Sequence, residues 1–294
     1  APLAWIDLYG GRRPNLLAQV DNGAGKTVSI HYRSSVQLQL EDEMAGRPWI
    51  TRLAFPVQCV VRTETRERVT NSLFVSTYRY RHGYYDHADR EFRGFAFVEE
   101  IDTESYSALA GSQPGNAPAP ELHEAPTRTR HWYHTGAFPG WSLPERLADE
   151  FAPLPVAAAG LNGHIDEASP IGTPIDRLRA HRVLKGKPLR TEICALDGSA
   201  EEERPYRIST HGYAIHLVQP RGDNRYGVYQ ATETESVEIH MERDDDDPRI
   251  AHRLTLAVDD HGGAWVTATE GFLVGYDSAG AEIARVPVDR NAVA

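Results

Sequence analysis

Thirteen histidines and several clusters of carboxylates are the places where this chain could do chemistry. His131 and His134 stand three apart beside Trp132 and Tyr133. Two imidazoles ligate zinc when carboxylates or further histidines join them, and no His-Glu-x-x-His run supplies that company. The pattern predicts a structural, partly buried strand end. Asp244 to Asp247, followed by Pro248, offers the oxygen ligands that calcium takes. A calcium loop spaces its ligands around a glycine, which this stretch lacks, so a solvated turn between Met241 and Ile250 is expected. Asp86, Asp89 and Glu91 could divide acid and base duty between them. Arg90 and Arg93 beside them point instead to surface ion pairs. Cys59 and Cys194 fit neither a disulfide framework nor a zinc site, and read as buried packing residues.

Glu233-Thr234-Glu235, with Ser209-Thr210 and Arg204 or Arg207 upstream, imitates the set with which an ADP-ribosyltransferase holds a nicotinamide cofactor. No third Ser or Thr completes the strand motif, and the arrangement stays an alternative reading. Arg221-Gly222-Asp223 is an adhesion-type tripeptide, but Gln219-Pro220-Arg221-Gly222 reads as a hairpin turn. A host-surface or carbohydrate-binding module using exposed aromatic rings is the other alternative. No Gly-rich phosphate loop and no Gly-x-Ser-x-Gly elbow occurs. The reading therefore assigns no catalytic residue, cofactor or metal.

The elements that carry these residues are mostly strands. Along Tyr78–Phe97, tyrosines and phenylalanines alternate with charges around a turn, which predicts an aromatic-walled β-hairpin. Gly83 frees the backbone there, and Asp86 can bond back to turn amides. Period-two runs predict further strands at Leu16–Val20, Val28–Tyr32, Val36–Leu40 and Val57–Val61. Asp21-Asn22-Gly23-Ala24-Gly25 is a strong turn signal. Two helices are expected. One is opened by Ser142 and Glu145 in a capping-box pattern, and the other by Thr173-Pro174 and closed by Gly186. From residue 188 strands resume at Leu189–Leu196, Tyr206–Thr210, Tyr213–Val218, Tyr226–Gln230, Val237–Met241, Leu254–Val258, Trp265–Thr269 and Phe272–Gly275.

This pattern divides the chain into a β-rich segment at 1–106, a linker or loop at 107–126 rich in Ala, Pro and Gly, a segment at 127–262 holding both helices, and a hairpin tail of YD type at 263–294. A net charge of −11, from 42 acidic against 31 basic residues, opposes nucleic acid as a partner. Hydrophobic residues make up 40% of the chain and the mean hydropathy is −0.48, enough for a core but with no run suited to a membrane span. The opening APLAWIDLYGG shows no basic start before an apolar run, and the expectation is a piece of a longer protein.

Several stretches, in order over about residues 5–262, carry a family likeness. They include Asn15-Leu16-Leu17 leading to Asp21-Asn22-Gly23, Ala45-Gly46-Arg47-Pro48-Trp49, and His82-Gly83-Tyr84-Tyr85-Asp86. They continue with Arg90-Glu91-Phe92-Arg93-Gly94-Phe95, Trp132-Tyr133-His134-Thr135-Gly136, Leu184-Lys185-Gly186, Glu203-Arg204-Pro205-Tyr206 and Asp247-Pro248-Arg249-Ile250. Through them the chain resembles the middle region of the B component of bacterial insecticidal toxin complexes, the TcdB/TcaC-like proteins related to SpvB-type virulence proteins. The tail after about residue 263 departs from the pattern.

The resemblance implies a mostly β fold of antiparallel hairpins of RHS-shell type with two short helices. It implies part of a hollow shell that closes with a C component, an RHS-core protein carrying a toxic passenger. A β-propeller outside this chain would dock the shell on a pore-forming A component. It further implies manufacture in the bacterial cytoplasm, action outside the cell as part of a toxin complex, and no membrane insertion by this segment. Trp49, Tyr84, Tyr85, Phe92, Phe95, Trp132 and Tyr133 would then be packing anchors, and Gly23, Gly83, Gly94 and Gly136 turn or close-approach positions. No catalytic role carries over.

Overall fold

The computed structural model describes residues 14–70, 72–102, 125–138, 140–169, 171–258, 264–269, 272–276 and 281–287. Within them the chain builds one mostly antiparallel sheet of fourteen strands. In chain order these are β1 (Gln19–Asp21), β2 (Lys26–Ser34), β3 (Gln58–Glu67), β4 (Ser72–Asp86), β5 (Glu91–Ile101), β6 (Thr127–His134) and β7 (Ile165–Glu167). There follow β8 (Lys187–Ala195), β9 (Arg207–Gln219), β10 (Val228–His240), β11 (Arg249–Val258), β12 (Ala264–Thr269), β13 (Phe272–Tyr276) and β14 (Glu282–Pro287). Spatial order follows sequence order throughout, except that β7 leaves the path and pairs parallel to β9. The expected linker at 107–126, the opening Trp5–Gly10 and the turns around 259–263 and 277–280 lie outside the described residues, apart from 125 and 126.

Several expected strands change identity. Val36–Leu40 is not a strand but the core of α1 (Ser35–Met44). Ser34 caps it: its hydroxyl accepts from Val36 N at 3.4 Å, and Gln37 Oε1 accepts from Ser34 N at 3.3 Å. In this helix only Ser35, Leu38 and Asp42 turn inward, while Val36 and Leu40 are exposed. Among the described residues there are thus three short α-helices where two were expected, the others being α2 (Leu143–Leu147) and α3 (Pro174–Ala180). Thr173 and Asp176 make the capping box of α3. Ser142 precedes α2 with an extended backbone but makes no side-chain cap bond, so that predicted box does not form. Helices α2 and α3 each pass into a 3₁₀ turn, Ala148–Glu150 after α2 and His181–Leu184 after α3. Tyr206–Thr210 and Tyr213–Val218 fuse into the single strand β9, and Tyr226–Gln230 and Val237–Met241 into β10.

Register decides which side chains share a face. One row runs Arg79↔Glu99↔Arg130↔Glu192↔Ile208↔Ile239 across β4, β5, β6, β8, β9 and β10. The next row is Arg81↔Phe97↔Trp132↔Arg190↔Thr210↔Val237. Residues 140–186 cover this face. Leu143 and Leu147 pack on Phe97, Trp132 and Leu189, and Ala158 on Ile208, Val237 and Ile239. Ala180 and Leu184 pack on Tyr213 and Ile215. A fourth cluster joins Leu38 of α1 to Trp49 and Cys59. Among the described residues, no helix is long and apolar enough to cross a membrane.

The cover is laid very close to β9. Gly163 has φ +69, and a Cβ built there would stand 2.3 Å from the backbone oxygen of His211. Gly160 has φ +88 with nothing within 4 Å. Gly160→Ala is therefore expected to cost only the left-handed penalty, about 1–2 kcal/mol. Gly163→Ala must also push the cover off the strand, adding roughly 1–3 kcal/mol of overpacking. Urea unfolding of the two variants side by side measures the gap, and equal losses would mean the cover is loosely seated.

Candidate functional site

The hairpin of β4 and β5 ends in a buried ion pair. Asp86 Oδ1 accepts from the amides of Ala88 and Asp89 at 2.8 and 3.1 Å, which closes the turn. Its other oxygen lies 2.7 Å from Arg93 Nη2, with both side chains at 4% exposure or less. The surface pairing expected around Arg93 is thus an interior one, because the 3₁₀ turn after α3 lies on top: Arg182 reaches Asp89 at 2.7 Å and Lys185 pairs with Glu91. Arg93 Nη1 donates to the carbonyl of Gly136 at 3.3 Å. Gly136 adopts φ +73, and a Cβ there would meet Arg182 Cα at 3.2 Å. Arg90, by contrast, is exposed at φ +55.

The other singled-out residues fall around this tip without meeting at one point. Phe95 touches Trp49, Tyr80 and Phe92 at ring-centroid distances of 6.0, 5.1 and 5.5 Å. Tyr85 packs edge-on against Phe55 at 5.0 Å, and burial raises the Tyr84 hydroxyl pKa. Gly83 lies inside β4 rather than in the turn; a Cβ there would stand 2.5 Å from Leu53 Cδ1. Gly94 has φ +90 in the paired strand. Trp132 is buried against Phe97 and Phe151, and Tyr133 stacks on His131. Far away, Asp21 and Asn22 cap their own turn, donated to by the amides of Gly23, Ala24 and Lys26 at 2.8 to 2.9 Å, with Gly23 at φ +68.

Beneath the cover the alternating row becomes a layer of buried charges. Asp42 of α1 is fully buried; it accepts from Trp49 Nε1 at 2.9 Å and pairs with Arg79. Glu150 lies 2.6 Å from Arg81 and 2.8 Å from His82 Nε2. His82 Nδ1 accepts from the amide of Ile50 at 3.1 Å, so its proton sits on Nε2 and is donated to Glu150. Burial works against ionisation of Glu150, but the bonds from His82 and Trp132 and the charge of Arg81 hold its pKa below the ordinary value. Glu192 is fully buried, paired with Arg190 at 2.7 Å and accepting from the amide of Ala152 at 2.8 Å. Sequence reasoning passed over these residues. Their signal was the charge repeat at i and i+2, Arg79-x-Arg81, Arg128-x-Arg130 and Arg190-x-Glu192, which puts like positions on one strand face.

Two buried histidines lie behind the tip. The rings of His134 and His181 are 5.9 Å apart, and His181 stacks on Phe138 at 4.2 Å. His134 Nδ1 accepts from the amide of Gly136 at 2.8 Å; its Nε2 and both His181 nitrogens lack a hydrogen-bond partner among the described residues. Burial, then the neighbouring His181, lowers the His134 pKa to about 3. Burial lowers His181 as well, against the pull of Glu167 at 3.5 Å.

The remaining candidates are kept apart. Glu233 and Glu235 flank a bulge in β10, and each is held by its own histidine, His211 at 2.6 Å and His252 at 2.7 Å. Thr210 donates its hydroxyl to the carbonyl of Leu161 at 2.8 Å, away from both. Asp244 accepts from the amide of Asp246 at 3.0 Å in a turn. Cys59 and Cys194 are buried free thiols. Among the described residues, no group of three or more His, Cys, Asp or Glu could hold a metal ion.

Two family models match the chain. The insecticide toxin TcdB middle/N-terminal region matches residues 7–112, and the TcdB middle/C-terminal region matches residues 179–269. Among solved structures the chain is similar to a Tc holotoxin pore from Photorhabdus luminescens, at 28% identity over 89% of this chain with a TM-score of 0.72. It is also similar to a TcdB2-TccC3 crystal structure, at 25% identity over 94% of this chain with a TM-score of 0.71. The chain spans only 12% and 13% of those matched chains. No curated protein sequence matches.

Arg93→Ala leaves Asp86 buried without its main counter-charge and is expected to cost about 3–5 kcal/mol in urea unfolding. A loss below 1 kcal/mol would show the pair to be solvated. The histidines set an acid limit. Their folded pKa values lie below the unfolded value near 6.5, so the folded state binds fewer protons, and stability falls as pH drops from about 6.5 toward about 3. His181→Phe should flatten unfolding free energy over that window relative to the parent chain; an unchanged slope would contradict this.

Proposed function

Because the chain belongs to the middle region of the TcdB-type insecticide toxins, we propose that it is a wall segment of a toxin-complex shell that encloses a toxic passenger. The observation that carries this reading is the order of the sheet. Apart from β7, strands from β1 to β14 are laid down antiparallel in the order of the sequence, each beside the one before it. A wall of this kind satisfies its own backbone wherever strands pair, and it can grow from either end. β1 pairs with β2 and β14 with β13, so each outermost strand keeps one free edge among the described residues. In the longer protein those edges would meet further hairpins.

The solved relatives are a TcdB2-TccC3 assembly and a holotoxin pore. By that likeness the partner of the shell would be a C component that contributes the passenger, and docking to an A component would fall to a propeller outside this chain. The segment would act outside the bacterial cell as part of that complex. Its contribution is containment: the charges and rings fasten strands and cover to one another rather than to a reactant.

The test is protease protection of the passenger in the full B component carrying this segment, coexpressed with its C component. With Arg93→Ala, which loosens the wall, the passenger is expected to become cleavable several times faster than with Gly160→Ala. Equal protection in both would remove this segment from the wall.

A further inference from the structure

Helix α1 is turned the wrong way round for a lone surface helix. Such a helix lays its apolar stripe on the core and its polar face in water. In α1 the buried residues are Ser35, Leu38 and Asp42, the last paired with Arg79. Val36, Leu40 and Met44 stand outward, at 44, 52 and 83% exposure. They are spaced four apart, so they form one stripe about 12 Å long. The polar groups beside it are already engaged: Glu41 pairs with Arg33, and Gln39 Nε2 donates to Glu43 at 3.1 Å.

The surroundings are apolar as well. Among the described residues, eight of the fifteen large apolar side chains that remain exposed lie between residues 14 and 74, Leu17 and Val20 included. The excess therefore gathers at the β1 end of the sheet, where α1 packs on β2 and β4. The chain also enters at that end. Gln19 pairs with Ser29, the Ala18 carbonyl accepts from Ile30 N at 2.8 Å, and the Leu17 carbonyl accepts from the Tyr32 hydroxyl at 3.0 Å. Upstream of Leu17 the chain is thus heading along β2 toward Ser34, where α1 starts. The last strand, β14, is nine places beyond β4, a path along the sheet of about 43 Å at about 4.8 Å per strand.

We propose that the outward stripe of α1 is a docking face for the polypeptide upstream of residue 14 in the longer protein, which lays apolar side chains on Val36, Leu40 and Met44. The chain spans only 12% and 13% of the matched solved chains, so a protein of that length has ample polypeptide to supply the occupant. Distance decides between the two directions from which it could come, because the chain enters beside α1 and leaves across the sheet. The residues before 14 include Leu3, Trp5, Ile6, Leu8 and Tyr9, side chains of the required kind. Such docking requires that the chain be part of a longer protein, whether or not that protein encloses a passenger.

The probe is a photoreactive benzophenone side chain in place of Leu40 in the full B component, purified without its C component and irradiated. The cross-linked peptide is expected to come from before residue 14 of the same polypeptide. A cross-link to sequence after residue 294, to a second copy, or to nothing would overturn the proposal. Met44→Lys gives an independent readout. In the 294-residue chain, where the stripe is bare, its melting temperature should stay within about 2 °C of the parent, as for other surface substitutions. In the full B component, the polypeptide leading into residue 14 should be cleaved by protease at least about threefold faster than in the parent, since cleavage follows the population of the open form. Cleavage at the parent rate would show that nothing upstream rests on the stripe, and would equally overturn the proposal.

Discussion

Arg79, Glu99, Arg130 and Glu192 lie side by side on four adjacent strands, positive and negative in turn. Opposite charges placed directly across a ladder attract, and like charges repel, so the row admits one register. A slip of one residue in any strand would turn its member of the row to the other face and leave its neighbours unpaired. Burial makes the constraint strict. Glu192 is fully covered, and an uncompensated interior charge costs several kcal/mol. The apolar members of this row and the next are less exacting, because Phe97, Trp132, Ile208 and Val237 would tolerate many neighbours.

The cover depends on the same row. Glu150 reaches down from the 3₁₀ turn after α2 to Arg81 and His82, and Glu192 reaches up to the amide of Ala152. Asp42 does the same from α1 through Arg79 and Trp49. Helices of five and seven residues are too short to be stable alone, so these ionic fastenings and the leucines beside them hold the helices in place. The result is a sheet that is stiff on its covered face and extends by hairpins at both ends. That combination suits the proposed container wall, and it gives the concentrated acidic and basic residues a structural task.

Much of the sheet was legible in the sequence. Alternation in Tyr78–Phe97 and the Asp21–Gly25 turn signal placed β4, β5 and the first hairpin. Val36–Leu40 misled, since the same alternation fits a strand. The Ser34-x-x-Gln37 capping pair was the better signal, and in the helix only Leu38 of the three apolar residues is buried. β9 and β10 each read as two strands, with gaps that take in Gly212 and Glu233 to Glu235. Those residues in fact mark a bulge where His164 packs against Gly212. The interior position of Arg93 was hidden for another reason: the turn that lies over the hairpin tip carries Arg182, which pairs with Asp86 and Asp89 some ninety residues away in sequence, and local spacing carries no record of that contact.

Native-state hydrogen exchange tests most directly whether cover and sheet are a single ionic unit. The amides of Ala152, Trp132 and Ile208 should exchange with one common free energy, equal to that of global unfolding, and should lose protection together as urea rises. If the Ala152 amide and its neighbours in residues 140–186 opened several kcal/mol more easily than the strands beneath, the buried charges would not be what joins them.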